Sequence, residues 1–233
     1  MNNKKKWMGT LFIIFLFSAA AYIIMNSTNF QFFGGIVNRL PTDKKIVALT
    51  FDDGPTEKTD EILSILKSEN IKATFFLIGS EIEKNQEETK NIISDGQEVG
   101  NHTYTHKRMI FKTYGYIKDE IEGTDKLIRK MGYNDTIQFR PPNGKKLVLL
   151  PFYLNANNRK TILWDLTPNS YDDINSSSDK IVKYVMDNVK PGSIILLHPM
   201  NDKNKNTINS IKPIIKGLKE KGYEFVTINQ IIN

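Results

Sequence analysis

The chain contains no cysteine among its 233 residues, and this absence excludes several classes of chemistry. Without thiols the protein has no disulfide framework, no cysteine nucleophile, no thiolate zinc finger and no CxxC redox centre. Histidine is almost as scarce, since the chain has only three. Any metal site in this protein must therefore use histidine and carboxylate ligands.

A strong excess of one charge is also missing. The chain has 32 Lys and Arg against 26 Asp and Glu, a formal net charge of +6, and half of that excess comes from Lys4, Lys5 and Lys6. The charge left for the rest of the chain is too small to indicate nucleic-acid binding. A content of 39% hydrophobic and 25% charged residues is typical of a globular protein with one catalytic-sized domain, and we expect a monomer.

One long apolar run lies near the N-terminus. Residues 7–25 contain no charge and no proline, and as a helix they would be roughly 28 Å long, which matches a bilayer core. The basic residues before them place residues 1–6 in the cytoplasm, so we expect a single-pass signal-anchor with the rest of the chain extracytoplasmic. A cleaved signal peptide is the alternative, because residues 18–21 are small, but the apolar run continues through Ile24.

Residues 26–43 are expected to form a linker, and the folded domain is expected to span residues 44–233. Within it, short runs rich in Val, Ile and Phe alternate with longer amphipathic segments, which is typical of repeated β/α units around a parallel sheet. About 190 residues is short for an eight-fold barrel of roughly 250, so we expect an α/β fold, a distorted and incomplete (β/α) barrel. The predicted strands are 46–51, 73–78, 98–102, 137–139, 161–166, 193–198 and 224–228, and the predicted helices are 57–69, 81–95, 113–131, 177–188 and 207–221.

Polar residues interrupt these patterns at the C-terminal ends of predicted strands, where β/α folds place their active sites. Asp52 and Asp53 follow the first strand of the domain in the sequence TFDDGP. Adjacent carboxylates repel each other, so the pair indicates a bound cation or a reacting proton. An Asp-Gly turn, with one acid capping the next helix, is the structural alternative.

The three histidines also follow predicted strands. His102 and His106 form an HxxxH pair in the sequence HTYTH, and His198 ends the apolar run IILLH. In a helical turn, imidazoles four residues apart share a face and can bind one divalent ion. With a carboxylate they would make a facial triad that leaves open positions for water and substrate. An HxxxH pair alone is a weak signal, but no histidine is left over for another role.

A third motif, RPPNG, begins at Arg140 after another short strand. The planar guanidinium of arginine can bind a carboxylate through two parallel hydrogen bonds. A rigid Pro-Pro followed by Gly can orient a backbone N–H toward a ligand. A surface turn with a solvated arginine is the alternative. Taken together, the motifs indicate hydrolysis of a carbonyl compound. In this hypothesis Asp53, His102 and His106 hold a metal, Asp52 is the base, His198 is the acid and the Asn143 N–H donates to the oxyanion.

The motifs TFDDGP, HTYTH, RPPNG and LLH resemble, in order and separation, those of the polysaccharide deacetylase (NodB-like) superfamily of metal-dependent carbohydrate esterases. The resemblance runs from about Lys45 to the C-terminus. It implies a distorted (β/α) barrel, one divalent metal ion, most often zinc, and the same roles for Asp52, Asp53 and the three histidines, with Arg140 orienting the base. The expected oxyanion and substrate-binding residues are Asn143, Pro142, Gly144, Trp164, Tyr171 and Leu196.

The sequence departs from the family pattern at two places. Asn143 stands where the family commonly has Tyr, but the expected role uses only the backbone N–H. Ser170 and Tyr171 stand where many members have Asp and Trp. Tyr171 can still supply an aromatic wall, whereas Ser170 cannot stabilise an imidazolium at His198 as a carboxylate would.

The resemblance implies an anchored extracytoplasmic hydrolase that removes acetyl from N-acetylated amino sugars of a cell-envelope glycan. Peptidoglycan is the favoured polymer, and chitin-like oligomers or poly-N-acetylglucosamine are its competitors. Two alternatives stay open. A glycan-binding protein that keeps the fold without turnover is suggested by Ser170, although Asp52 argues against it because a binding protein needs no base. An O-acetyl carbohydrate esterase would use the same residues.

Overall fold

The computed structural model describes residues 3–201 and 205–232, except the side chains of residues 3–6 and Asn169. The chain begins with helix α1 (Asn3–Asn26), and its segment Trp7–Asn26 is long and apolar enough to cross a membrane. The residues of that segment are exposed or only partly buried in the protein. A signal sequence would have the same properties. The predicted basic tail spans residues 1–6. Its residues 1 and 2 and the side chains of residues 3–6 lie outside the described part of the chain.

Within the described residues, seven strands and eight further α-helices follow α1. The strands are β1 (Ile36–Val37), β2 (Ile46–Gly54), β3 (Thr74–Leu77), β4 (Glu98–Asn101), β5 (Thr161–Ile162), β6 (Ser193–Leu197) and β7 (Glu224–Phe225). The helices are α2 (Thr59–Ser68), α3 (Gly79–Lys84), α4 (Gln86–Ser94), α5 (Tyr114–Lys130), α6 (Leu149–Ala156), α7 (Ser178–Asn188), α8 (Asn206–Glu220) and α9 (Ile228–Ile232). Strands that alternate with helices in this way build a parallel sheet with helices outside it.

All the strand pairs are parallel. The main sheet has the order β4-β3-β2-β6, β7 also pairs with the start of β2, and β1 pairs with β5. Among the described residues, only isolated bridges connect these two parts. They are the parallel bridges Asn101 to Phe139, Phe139 to Thr161 and Leu166 to Ile195, and the antiparallel bridge Arg39 to Ser193. Continuous ladders therefore do not close the ring. This confirms the expected α/β class and the distorted, incomplete barrel.

Strand β2 lies at the centre of the sheet and is buried almost throughout. Its residues Val47 and Leu49 belong to the core under the helices, whereas Ala48 packs with residues inside the barrel. Side chains alternate between the two faces of a strand, so Thr50 and Asp52 continue the inner row that Ala48 begins. The alternation therefore carries polar side chains up the inside of the barrel to the carboxyl end of β2.

The structure differs from the predicted elements in four places, the first being the strand predicted over 161–166, which is shortened to β5 (Thr161–Ile162). The helix predicted over 81–95 is interrupted at Asn85, whose side-chain amide donates to the carbonyls of Pro55 and Glu81. The strand predicted over 137–139 is reduced to bridges at Phe139, and the end of the strand predicted over 224–228 becomes the start of α9. Tertiary contacts decide these short segments, because their local preferences are weak.

Part of the expected linker, residues 26–43, packs on the sheet. Strand β1 pairs with β5, and the Leu40 N–H donates to the Gly192 carbonyl over 2.9 Å. The Gly192 backbone has φ +79, and a Cβ there would lie 2.3 Å from the Leu40 oxygen, so only glycine allows this approach. Residues 36–40 thus contribute to the folded unit, and the domain boundary at residue 44 stays a prediction.

Candidate active site

A cavity of about 270 Å³ opens at the carboxyl ends of the parallel strands. Asp52 and Asp53 end β2, His102 follows β4 and His198 follows β6, so the strand order alone brings the predicted groups to one edge. The side chains that line the cavity are Asp52, Asp53, His102, His106, Arg108, Asn143, Lys145, Trp164, Ser170 and His198.

The two aspartates both face the cavity because the strand is irregular between them. Adjacent residues of a regular strand point to opposite faces. Here the register with β3 shifts between Asp52 and Gly54, and Asp53 has φ 69. Such a bulge re-aims a side chain. It turns the Asp53 carboxylate into the same space as that of Asp52 instead of away from it.

Asp53, His102 and His106 form a cluster that can hold a metal ion. One ligand atom from each lies within 4.8 Å of the others. Asp53 Oδ1 is 3.0 Å from His106 Nε2 and 3.5 Å from His102 Nε2. His102 Nδ1 lies 2.7 Å from the Arg140 carbonyl, which can only accept a hydrogen bond, so Nδ1 carries the proton and the Nε2 lone pair faces the cluster.

Two atoms of the cluster are buried without a hydrogen-bond partner of acceptable geometry, namely Asp53 Oδ1 and His106 Nε2. Leaving buried polar atoms unpaired costs about 1–3 kcal/mol each. A divalent cation would satisfy both at once, together with His102 Nε2. The donor set of two imidazoles and one carboxylate therefore fits the metal site expected from the sequence.

A loop, not a helical turn, brings the two imidazoles together with their ring centroids 4.9 Å apart. Thr103 and His106 both have positive φ, and the Thr103 hydroxyl accepts from the His106 N–H. The buried Glu120 carboxylate accepts from the N–H groups of Tyr104 and Thr105 and from the Thr105 hydroxyl. Glu120 thus fixes a loop whose backbone could not otherwise satisfy its donors.

Arg140 is fully buried behind Asp52. Its Nη1 donates to Asp52 Oδ1 over 2.6 Å and to the Thr50 hydroxyl over 2.9 Å, and its Nη2 donates to the Leu163 carbonyl over 3.1 Å. The guanidinium also lies 4.0 Å from the centroid of the Phe76 ring. These contacts hold the Asp52 carboxylate in one orientation.

The pKa shifts of Asp53 and His102 favour the protonation states that bind a metal, whereas the shift of His106 favours its protonated form. Burial by itself raises the pKa of Asp53, but the histidines around it outweigh burial and hold that pKa well below its ordinary value. Burial lowers the pKa of His102, which favours its neutral form. Burial also acts to lower the pKa of His106, but its contact with Asp53 raises that pKa above the ordinary value. A carboxylate and neutral imidazoles are the forms that bind a metal.

The RPPNG loop forms one wall of the cavity. Asn143 has φ 55, and its side-chain oxygen accepts from Arg108 Nε over 3.1 Å. Gly144 has φ +66, and a Cβ there would lie 3.2 Å from the Trp164 ring, so the loop packs closely on that ring. Pro142 is buried in the short 3-10 turn of this loop.

Four predicted substrate-binding residues are not among the described residues that line the cavity, namely Pro142 and Gly144 of the loop just described, Tyr171 and Leu196. Tyr171 is 49% exposed, and its ring packs against Tyr184 with a centroid distance of 5.9 Å. Leu196 is buried within β6, in register with Thr50. Their roles toward substrate stay predictions.

Ser170 does line the cavity, and its hydroxyl lies 2.7 Å from the Thr167 hydroxyl. Two of the three aspartates near it in sequence have partners outside the cavity. Asp165 accepts from the Ser193 hydroxyl and the Ile194 N–H, and Asp173 pairs with Lys180 at 3.0 Å. His198 Nε2 lies 4.0 Å from Asp53 Oδ2. Ser170, which stands where many members of the superfamily have an aspartate, therefore lines the same cavity as His198.

The sequence analysis missed four residues of the site. Arg108 and Lys145 line the cavity, Asn201 donates to Asp53 Oδ2 over 3.0 Å, and Glu120 fixes the histidine loop. Arg108 and Lys145 stand directly beside the HTYTH and RPPNG motifs, and that proximity was the available signal. Glu120 lies in α5, far from any motif, and only the fold brings it to the loop.

Comparison with known proteins relates this chain to polysaccharide deacetylases. A family model described as polysaccharide deacetylase matches residues 39–162. The peptidoglycan-N-acetylglucosamine deacetylase of Bacillus cereus is 30% identical over 200 residues, which covers 85% of this chain and 93% of that protein.

Two solved structures have the same fold. The Bc1960 peptidoglycan N-acetylglucosamine deacetylase is 33% identical, with a TM-score of 0.79 over 84% of this chain and 92% of that one. BA3943 of Bacillus anthracis, described as a CE4 family pseudoenzyme, is 31% identical, with a TM-score of 0.77 over 85% of this chain and 69% of that one. The fold therefore occurs both in deacetylases and in a protein described as a pseudoenzyme.

Proposed function

This chain belongs to the polysaccharide deacetylase family, as the resemblance of its motifs predicted, and we propose that it removes N-acetyl groups from N-acetylglucosamine-type residues of a cell-envelope glycan. The observation that carries the proposal is that a potential metal site and a candidate base line the same cavity. A cluster of Asp53, His102 and His106 that fits a metal ion lies beside an aspartate held by a buried arginine. This combination serves hydrolysis of a carbonyl compound.

Asp53, His102 and His106 would hold one divalent ion, and we propose zinc because two imidazoles and a carboxylate with open positions are a catalytic zinc donor set. When bound, the ion supplies Lewis acidity, which polarises the acetyl carbonyl. The Arg140 carbonyl keeps the Nε2 lone pair of His102 directed at the ion site.

Asp52 is proposed as the general base. Its Oδ1 is taken by Arg140, whereas its Oδ2 lies on the side of His102, 3.5 Å from Nε2. Oδ2 therefore faces the space where water would attack the carbonyl carbon and can take the proton of that water. Arg140 keeps the carboxylate from rotating, so the base meets the water in one orientation.

His198 and Asn143 are proposed to act on the other parts of the amide. The Asn143 backbone N–H donates to the oxygen that becomes negative as the new C–O bond forms. His198 donates a proton to the amide nitrogen as the C–N bond breaks. The products are acetate and a free amino sugar, so the overall reaction consumes one water per acetyl group.

The favoured polymer is peptidoglycan, because relatives of this chain are peptidoglycan deacetylases. The apolar helix α1 supports a single-pass anchor, with the catalytic domain outside the cytoplasm where that polymer lies. We propose the same division as the sequence predicts, with a basic tail over 1–6, a span over 7–25, a linker over 26–43 and a catalytic domain over 44–233 acting as a monomer. Chitin-like oligomers and poly-N-acetylglucosamine are the competing substrates.

The experiment is acetate release by the full chain in detergent, with N-acetylglucosamine oligomers and purified peptidoglycan as substrates. Activity is measured after chelation and again after zinc is restored, with Asp52→Asn as the inactive control. Zinc-dependent release that Asp52→Asn lacks supports the proposal, and the preferred substrate identifies the polymer. Faster release from acetylated xylan than from either amide substrate would favour an O-acetyl esterase.

A glycan-binding protein without turnover is the second candidate, and two observations favour it. Ser170 lines the cavity and stands where many members of the family have an aspartate, and a similar structure is described as a pseudoenzyme. Binding of peptidoglycan with stoichiometric zinc and no acetate release would support this candidate. The retained pair of Asp52 and Arg140 argues against it, because binding alone requires no base.

A further inference from the structure

Helix α1 is joined directly to the loop beside the catalytic cavity. The Lys145 ammonium donates to the side-chain oxygen of Asn26, the last residue of α1, and the Lys146 ammonium donates to the carbonyl of Ser27. Lys146 is fully buried, and Lys145 lines the cavity. The segment that follows α1 is therefore not a free tether. Asn26 and Ser27 are hydrogen-bonded to the two lysines that directly follow the RPPNG motif.

The apolar residues after these lysines lie along α1 itself. Leu147 and Val148, together with Phe32, share an apolar cavity with the helix residues Phe17, Ala20, Ala21 and Ile24. Phe17 precedes the end of the helix by nine residues, or roughly 13 Å along its axis. A domain segment that reaches this far back along a membrane-spanning helix lies below the level of the lipid headgroups.

The same region exposes large apolar side chains. Phe32 is 51% exposed, Val148 40%, Leu149 42% and Phe152 44%. The Phe152 ring meets those of Phe33 and Tyr114 at centroid distances of 5.4 and 6.3 Å. Contiguous exposed apolar side chains mark an interaction site. Tyrosine, the type of Tyr114, is enriched at the boundary between lipid and water.

We propose that Phe32, Leu147, Val148, Leu149 and Phe152 form a lipid-contact surface that lies in the outer leaflet of the bilayer beside α1. The proposal rests on the anchor proposed above. The occupant is lipid because the surface is continuous with the helix that crosses the bilayer. Lys145, which precedes Leu147 in the chain, then lies at the level of the anionic headgroups that attract lysine.

The surface has a consequence for the proposed function. Asn143 of the cavity wall is only four residues before Leu147 in the chain. A lipid-contact surface here holds the cavity at the bilayer surface instead of at the end of a flexible stalk. Deacetylation is then confined to glycan next to the membrane.

The test uses the full chain in lipid nanodiscs and exploits its lack of cysteine. Single variants Val148→Cys and Phe152→Cys carry an environment-sensitive fluorophore, and nitroxide lipids serve as quenchers. Phe15→Cys within α1 reports insertion of the helix, and the exposed Ser64→Cys on α2, which packs against α4 and α8, is the matched negative control. We expect quenching of about twofold or more at residues 15, 148 and 152, whose labels sit at bilayer depth, and none at residue 64.

Quenching at residue 15 without quenching at residues 148 and 152 would overturn the lipid-contact surface and leave the anchor intact. If labelled Val148→Cys is unquenched and the unlabelled variant forms a disulfide-linked dimer on oxidation by air, a second copy covers the surface and the proposal is wrong. No quenching at residue 15 would overturn both the anchor and the surface. Acetate release from soluble N-acetylglucosamine oligomers, measured on the same samples, tests the proposed function separately, since soluble substrates reach the cavity wherever the domain lies.

Discussion

Arg140 and Asp52 form an ion pair that is buried completely, with Nη1 of the arginine 2.6 Å from Oδ1 of the aspartate. Removing two charges from water costs several kcal/mol per ion, which the attraction between them offsets only when their other hydrogen bonds are made. The Thr50 hydroxyl and the Leu163 carbonyl accept further bonds from the guanidinium. The pair therefore contributes little to the stability of the fold. Its effect is to fix the Asp52 carboxylate beside the cluster of Asp53, His102 and His106.

Asp52→Asn is expected to keep its metal and lose about 10²–10⁴-fold in kcat, since an amide cannot take the proton of water. It also leaves the Arg140 charge buried without a counter-charge, so the free energy of unfolding should fall by about 3–5 kcal/mol. Acetate release, zinc content and thermal unfolding on one preparation separate the two effects. Wild-type turnover in a folded Asp52→Asn protein would remove Asp52 as the base.

Replacing Asp53, His102 or His106 by alanine should lower zinc affinity and activity together. Each loss should exceed the about 10–100-fold that outer-shell changes cost, because a ligand itself is removed. Metal content by mass spectrometry and acetate release are the measurements. Asp173→Ala is the matched control, since Asp173 is exposed and pairs only with Lys180 among the contacts described. Full zinc content in all three ligand variants would contradict the site.

Glu120→Gln is expected to weaken zinc binding about 10–100-fold although Glu120 touches neither metal nor substrate. Its carboxylate accepts three hydrogen bonds from the loop between the two histidines, and an amide cannot accept all three equally well. Asp119→Asn, the exposed neighbour on the same helix, is the control. A purely structural role would lower the unfolding temperature while leaving zinc affinity unchanged, so zinc titration of the folded variant decides.

Ser170→Asp is expected to raise kcat by about tenfold, or about 1.4 kcal/mol of transition-state stabilisation. A carboxylate in the cavity would stabilise the protonated form of His198 that donates to the leaving nitrogen. The exposed Ser176→Asp adds the same charge outside the cavity and should leave the rate unchanged. An unaltered rate and pH profile in Ser170→Asp would show that serine serves this site as well as aspartate.

Stability should depend on pH through Glu98, which lies at the opposite end of β4 from the cavity. Burial raises the pKa of Glu98 from 4.5 to about 7, so the folded state binds its proton more tightly than the unfolded state. The stabilisation is present below pH 4.5 and is lost as pH rises toward 7, with a total of at most about 3 kcal/mol. Denaturant unfolding across this range should show the slope in the wild type and in Glu87→Gln. A slope that persists in Glu98→Gln would assign it to another group.

Much of this protein could be predicted from local features of the sequence. The alternation of apolar runs with amphipathic segments predicted the parallel α/β fold, because burial on both faces leaves strands continuously apolar. The positions of Asp52, His102 and His198 after such runs predicted a common site, because parallel strands end at one edge of the sheet. The motifs predicted the family, and the comparisons confirm it. The roles of the individual residues stay predictions.

Only the tertiary structure decided how the groups converge. The turn of Asp53 toward the cavity depends on a bulge, and the approach of His106 to His102 depends on a loop fixed by Glu120 from α5. The contact of Lys145 and Lys146 with the end of α1 joins residues 119 positions apart. Sequence pattern reports which face of an element is apolar, because that follows from local periodicity. Backbone irregularities and distant hydrogen bonds are set by the whole packed chain, so no local pattern could contain them.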